Sequence, residues 1–311
     1  MAVAVPSRAD RHPRVTPTAT TTVRASTIST ALARKTATTR TTLLLCTVSP
    51  FPSATISLAC GPGAGAINET VRMPSLVLWD IDGTLVRTGD VGALIFDVAI
   101  ERILGRRPSG RIPMSGKTDP QIVLEYLTQF DLPGDDAQSH LPAILEEIEI
   151  ELATQAHVVR DHGTVLPGVT ELLARLAADD DVDQTVLTGN IAPNARVKVG
   201  AFGLDRWLNL EMGAYGSDHA DRNELVPVAL RKVEAARGRN FRPDEVWVVG
   251  DAPNDLACAR AGGVHCLLVA TGRPSFEELR ALRPDALRHD LSDVDEIYSL
   301  LRSASDRRSR T

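Results

Sequence analysis

Five short apolar segments with amphipathic helical patterns between them constrain this chain more than any other feature. Residues 76–81, 184–188, 209–212, 245–250 and 265–269 are brief, apolar and rich in strand formers, as strands buried on both faces are. Between them, Val169, Leu172, Leu173 and Leu176 recur at helical spacing, as do Leu225, Val228, Ala229, Lys232 and Val233. Strands alternating with helices predict an α/β fold, a doubly wound parallel sheet covered on both sides.

The alternation is interrupted once. About 75 residues after the first strand contain no clear strand, far more than one crossover helix needs, so they must build a unit of their own. Asp90 can cap a helix with Val91, Leu94, Ile95 and Val98 on one face, and Asp119 with Pro120 can start a second carrying Ile122, Val123, Tyr126 and Phe130. A third, from about Ser139, turns Leu141, Ile144, Leu145, Ile148 and Leu152 inward and Glu146, Glu147, Glu149 and Glu151 outward. The expected organisation is therefore a core from residues 73–87 and 165–302, with a helical cap inserted over 88–164.

The ends of the chain differ from this middle. Residues 1–72 are rich in Thr, Ser, Ala and Arg, hold eight basic side chains against Asp10 and Glu69, and offer no material for a core. They resemble a transit peptide in composition, but Met73 directly precedes the first strand, and a start assigned too early is the preferred reading. Residues 303–311 form a polar tail expected to fray. Of the formal net charge of −6, the part beyond residue 72 carries −12, which argues against a nucleic acid as partner. Cys46, Cys60, Cys258 and Cys266 form no CxxC pair, so neither zinc nor a disulfide framework is expected, and a reducing cytoplasm fits. No apolar run reaches the roughly 20 residues that cross a bilayer.

In a parallel α/β sheet ligands bind beyond the carboxyl ends of the strands. Here the first strand ends in Asp80 and Asp82 within Asp80-Ile81-Asp82-Gly83-Thr84-Leu85, the second in Thr188-Gly189-Asn190, and the fourth in Gly250-Asp251-Ala252-Pro253-Asn254-Asp255. DxDGT, a strand ending in Thr, a basic residue and then GDxxxD together resemble the haloacid dehalogenase-like hydrolases over residues 74–302. The resemblance implies a phosphatase for a small phosphorylated metabolite, working through an aspartyl-phosphate with Mg²⁺. In that pattern Asp80 is the nucleophile, and Asp82 protonates the leaving oxygen and later takes a proton from water. The metal is held by Asp80, the Asp82 backbone carbonyl and Asp251, with Asp255 orienting either water or the basic residue.

Gly83 and Thr84 shape the loop, while Thr188, Gly189 and Asn190 bind the phosphate and line the leaving-group side. The family's basic residue has two candidates here, Lys198 and Arg222, with Lys198 placed first; the Lys-Pro pair of many relatives is absent. An acid at position 82 separates phosphatases and phosphomutases from dehalogenases, and a helical cap resembles the phosphoglycolate phosphatase and β-phosphoglucomutase branch. Cap contacts would come from Arg106, Arg107, Arg111 and the 115–119 loop with Lys117. A phosphomutase and a non-catalytic interaction protein on the same fold are the alternatives. Gly116-Lys117-Thr118 is not a nucleotide loop, since the earlier glycine position is Arg111.

Overall fold

A computed structural model describes residues 74–89, 91–132 and 136–302. The expectations for the leader 1–72, for capping by Asp90 and for the tail 303–311 lie outside these residues. In chain order the elements are β1 (Ser75–Trp79), β2 (Val86–Arg87), α1 (Val91–Leu104), α2 (Asp119–Leu127), α3 (Asp136–Thr154), α4 (Ala156–His162), β3 (Thr164–Val165), α5 (Val169–Ala177) and β4 (Val182–Thr188). There follow α6 (Ala192–Ala201), β5 (Ala214–Tyr215), α7 (Leu225–Arg237), β6 (Val246–Gly250), α8 (Pro253–Ala261), β7 (His265–Val269), α9 (Phe276–Ala281), β8 (Ala286–Arg288) and α10 (Val294–Arg302).

Six strands form one sheet in the order β5-β4-β1-β6-β7-β8, with every pairing parallel. Strand alternation explains why β1 has to be apolar at both phases. Val77 and Trp79 enter a cluster with Leu172, Leu173 and Leu176 of α5 and Ile297 of α10, whereas Leu76 and Leu78 enter one with Leu225, Val226 and Ala229 of α7. Each such side chain contributes about 1.5–3 kcal/mol on leaving water, so the central strand is fixed from both faces. β4 lies on one side of β1 and β6 on the other, which makes the carboxyl end of β1 the point where the winding reverses.

The connection from β1 to β4 carries α1 to α4. Ile95, Phe96, Tyr126, Ile144 and Ile148 make a separate apolar cluster there, with Val197 and Phe202 from the region of α6 packed against it. Chain exit and return run side by side, because β2 pairs antiparallel with β3. Among the described residues no helix is long and apolar enough to cross a membrane.

Several local expectations are corrected. Residues 209–212 are not a strand: the Asn209 side chain accepts from the Glu211 amide and starts a 3₁₀ turn, and the strand begins beyond Gly213 as β5. α2 does start at Asp119 with Pro120, and its cap is Thr118, in a reciprocal pair with Gln121. Glu151 is buried rather than outward, with Arg102 2.9 Å away. The two-residue β2 and β3, the edge strand β8 and the short α4 were not foreseen, being too short to show a period.

Candidate active site

The first strand delivers its carboxylate by a short extension and a tight turn. Asp80 continues β1, donating its amide to Val249 O at 2.9 Å, and the Leu85 and Val86 amides then turn back onto Ile81 O. Gly83 sits at φ +87°, and a Cβ there would lie 2.6 Å from Asp251 Oδ2. A side chain is therefore excluded twice, by conformation and by space. Gly272, beyond β7, approaches Asp251 from another side, where a Cβ would fall 1.6 Å from Oδ2. The Thr84 hydroxyl donates to Asp251 Oδ1 at 3.4 Å, and the Thr271 hydroxyl donates to Gly83 O at 2.5 Å.

Asp80, Asp251 and Asp255 each offer an oxygen within 4.8 Å of the others, and all three are buried. Burial, with Asp255 and Asp82 nearby, pushes the Asp80 carboxyl up to about 6 despite the opposing Arg222 charge. Burial, with Asp255 and Asp80, pushes Asp251 up to about 8. Arg222 brings a guanidinium to this cluster: its Nη2 donates to Asp80 Oδ1 at 3.0 Å and also to Asp255 Oδ1. Burial alone would lower its pKa, but Asp255 and Asp80 raise it, so it stays charged.

Asp255 is fully sealed, with Oδ1 on Arg222 and Oδ2 accepting the Ala252 amide at 2.9 Å. Asp80 and Asp251 line the cavity and Asp255 does not. Carboxylates crowded until they resist ionisation, held against two glycines, form a hard-oxygen donor set suited to a divalent cation.

The second acid of the motif belongs to a different network. Lys198 Nζ donates to Asp82 Oδ2 at 2.6 Å and to Asn190 Oδ1 at 2.7 Å. Asn190 Nδ2 donates to Asp82 Oδ2 and to Thr188 Oγ1, each at 2.8 Å, and the Thr88 hydroxyl donates to Asp82 Oδ1 at 3.4 Å. Burial would raise the Asp82 pKa, yet the Lys198 charge and these hydrogen bonds hold its carboxyl below the ordinary value. The two basic candidates thus divide the carboxylates. Arg222 touches Asp80, while Lys198, placed first from the sequence, touches Asp82.

A cavity of about 370 Å³ opens over these residues, lined on the helical side by Phe96, Arg111, Met114, Lys117, Asp119 and Ile122. The 115–119 loop is bound tightly to the strand ends. The Asp119 amide donates to Gly189 O at 2.7 Å, Ile191 N donates to Asp119 Oδ2 at 2.8 Å, Thr118 Oγ1 to Ala220 O at 2.6 Å, and Asn254 Nδ2 to Gly116 O at 3.0 Å. Burial pushes Asp119 up to about 6, against the Lys198 charge and the Ile191 amide.

Lys117 lines the cavity with its ammonium paired to Glu125 at 2.5 Å. Of the three arginines considered for this side, only Arg111 lines the cavity; Arg106 lies over the Phe130 ring and Arg107 pairs with Glu101. Thr88, Thr271 and Gly272 were missed. The last two follow β7, a strand end that carries no acid and so gave no signal.

A family model for haloacid dehalogenase-like hydrolases matches residues 77–260. The chain is 30% identical over 232 residues to a phosphoglycolate phosphatase of Pseudomonas syringae pv. syringae, covering 70% of this chain and 78% of that one. It is 26% identical over 242 residues to phosphoglycolate phosphatase 1 of Pseudomonas aeruginosa, covering 74% and 83%. In fold it is similar to the crystal structure of a predicted phosphatase from Clostridium acetobutylicum, with a TM-score of 0.56 at 16% identity over 74% of this chain and 98% of that one.

Proposed function

This chain belongs to the haloacid dehalogenase-like hydrolase family, and from that premise we propose that it is a Mg²⁺-dependent phosphatase of a small phosphorylated metabolite, with Asp80 as nucleophile. The observation that carries the reading is the approach of Asp80, Asp251 and Asp255 to within 4.8 Å of one another beside the Arg222 guanidinium. The names of the phosphoglycolate phosphatases support the substrate class. Asp80 and Asp251 would hold the cation, which when bound neutralises charge on the phosphoryl oxygens.

The chain's own residues do the rest. The Asp80 carboxylate attacks phosphorus in line, forming an Asp80–phosphorus bond as the bond to the leaving oxygen breaks. Arg222 orients Asp80, and we assign it, ahead of Lys198, the role of the family's basic residue. Asp82 gives its proton to the leaving oxygen, then takes one from the water that cleaves the aspartyl-phosphate. These two tasks need opposite protonation states. Lys198 and Asn190 favour the ionised form required second, and the arriving phosphate dianion favours the protonated form required first. Thr188 and Gly189 line the phosphate side, and the helices of residues 88–164 act as the cap that closes the cavity. The free, buried Cys258 and Cys266 support a cytoplasmic setting.

Release of inorganic phosphate from a panel of phosphorylated metabolites, with Mg²⁺ and with chelator, tests this reading. Activity that needs the metal and vanishes in Asp80→Asn supports it. Activity unchanged in that variant sinks it, and isomerisation of a hexose 1-phosphate without phosphate release would make the enzyme a mutase.

A further inference from the structure

Asp119 is a buried carboxylate on the helical side of the cavity that the chemistry above leaves unused. Its two polar groups engage the backbone on either side of a single residue. The Asp119 amide donates to Gly189 O, the carbonyl that precedes Asn190, at 2.7 Å. The Asp119 carboxylate accepts from the Ile191 amide, which follows Asn190, at 2.8 Å. Both peptide units that flank Asn190 are thereby held by one residue of the inserted helices. A third bond, from the Gly216 amide to Asn190 O at 2.9 Å, completes the fixation.

The close packing allows no slack in this arrangement. A Cβ on Gly189 would come 2.0 Å from Lys117 O, and one on Gly216 would come 2.1 Å from Gly189 O. Asn190 in turn spends its amide nitrogen on Asp82 and Thr188 and its oxygen on Lys198.

We infer that Asp119 is a positioning residue that clamps the backbone around Asn190, so that the geometry of Asp82 and Lys198 depends on the 115–119 loop being seated. This rests on the phosphatase reading and deepens it, since proton delivery to the leaving group then requires a residue borne by the cap.

A positioning role differs from a merely structural one in which substrates suffer. An aryl phosphate leaves with little need of a proton, whereas an alkyl phosphate needs one, so a fault in the Asp82 geometry weighs on the alkyl ester. The full chain, Asp119→Ala and Asp119→Asn are compared on p-nitrophenyl phosphate and on whichever alkyl phosphate of the panel the parent turns over fastest. Read as kcat/KM, which covers the step before the aspartyl-phosphate hydrolysis that both esters share, Asp119→Ala should lose about ten-fold or more on the alkyl ester and under about two-fold on the aryl ester, as small misplacements near the chemistry do. Asp119→Asn should recover most of the loss, because its carbonyl oxygen still accepts the Ile191 amide.

Should Asp119→Ala fail to fold, Ile191→Pro removes the same hydrogen bond from the other partner at a φ of −63° that proline accepts. Equal losses on both esters, no loss, or a parent that cleaves only the aryl ester would overturn the inference. An Asp80→Asn variant as active as the parent would instead remove the reading beneath it.

Discussion

Arg222 places Nη2 3.0 Å from Asp80 Oδ1, joining the end of β1 to a residue 142 positions further along the chain, just before α7. The same nitrogen serves Asp255, so the side chain is at once part of the site and the counter-charge of a sealed carboxylate. Arg222→Met should cost about 3–5 kcal/mol of stability, because it leaves Asp255 buried without its partner. The shift of the urea midpoint measures that loss. Arg222→Lys keeps the charge without the planar fork and should recover only part of it.

Lys198 acts on the other acid. A carboxylate held below its ordinary pKa contributes stability above its unfolded pKa, and that contribution is lost as the pH falls through the folded value. Lys198→Met removes the largest of the effects that lower Asp82. Its pKa then rises, and the alkaline limb of the kcat/KM profile, where Asp82 loses the proton it gives to the leaving oxygen, should move to higher pH. A profile that stays in place would show that Asp82 does not set this limb.

Stability of the metal-free protein should fall as the pH rises. Asp80 at about 6 and Asp251 at about 8, against an unfolded value of 3.8, bind protons more tightly when folded. Folding is therefore penalised progressively from about pH 4 to about pH 8. In chelator, the Tm should drop across that window. Added Mg²⁺ should raise it most at the upper end, where the carboxylates must otherwise ionise side by side.

Gly189 tests how closely the helical loop must approach the strand ends. Gly189→Ala would drive a methyl to within 2.0 Å of Lys117 O, a backbone atom that cannot swing away. It should lower kcat/KM by about ten-fold or more. Gly200→Ala, in the last turn of α6 with nothing within 4 Å, should leave activity alone and stabilise by up to about 1 kcal/mol. Thermal melts and steady-state rates on both proteins separate the two outcomes.

The sheet was legible because buried parallel strands must be apolar at both phases, and β1, β6 and β7 announce themselves that way, β4 only over Val186 and Leu187. The acids at the strand ends were legible for the opposite reason, as polar groups where a run of core residues stops. What escaped notice was structure made by single contacts. Asn209 starts a turn with its own side chain, and Gly272 matters only because Asp251 comes up against it from 21 residues away in the chain. The division of labour between Arg222 and Lys198 escaped for a related reason, since which carboxylate a long side chain reaches is decided by the fold.

The ribbon of β2 and β3 has a topological consequence. With Val86 opposite Val165 and Arg87 opposite Thr164, the excursion leaves and rejoins the rest of the fold at one point, in a ribbon separate from the six-stranded sheet. In the connectivity of the sheet, residues 88–163 are a side branch, and a tight turn from Arg87 to Thr164 would leave the order of all six strands unchanged. The branch can therefore lengthen, shrink or be exchanged without any strand finding a new neighbour.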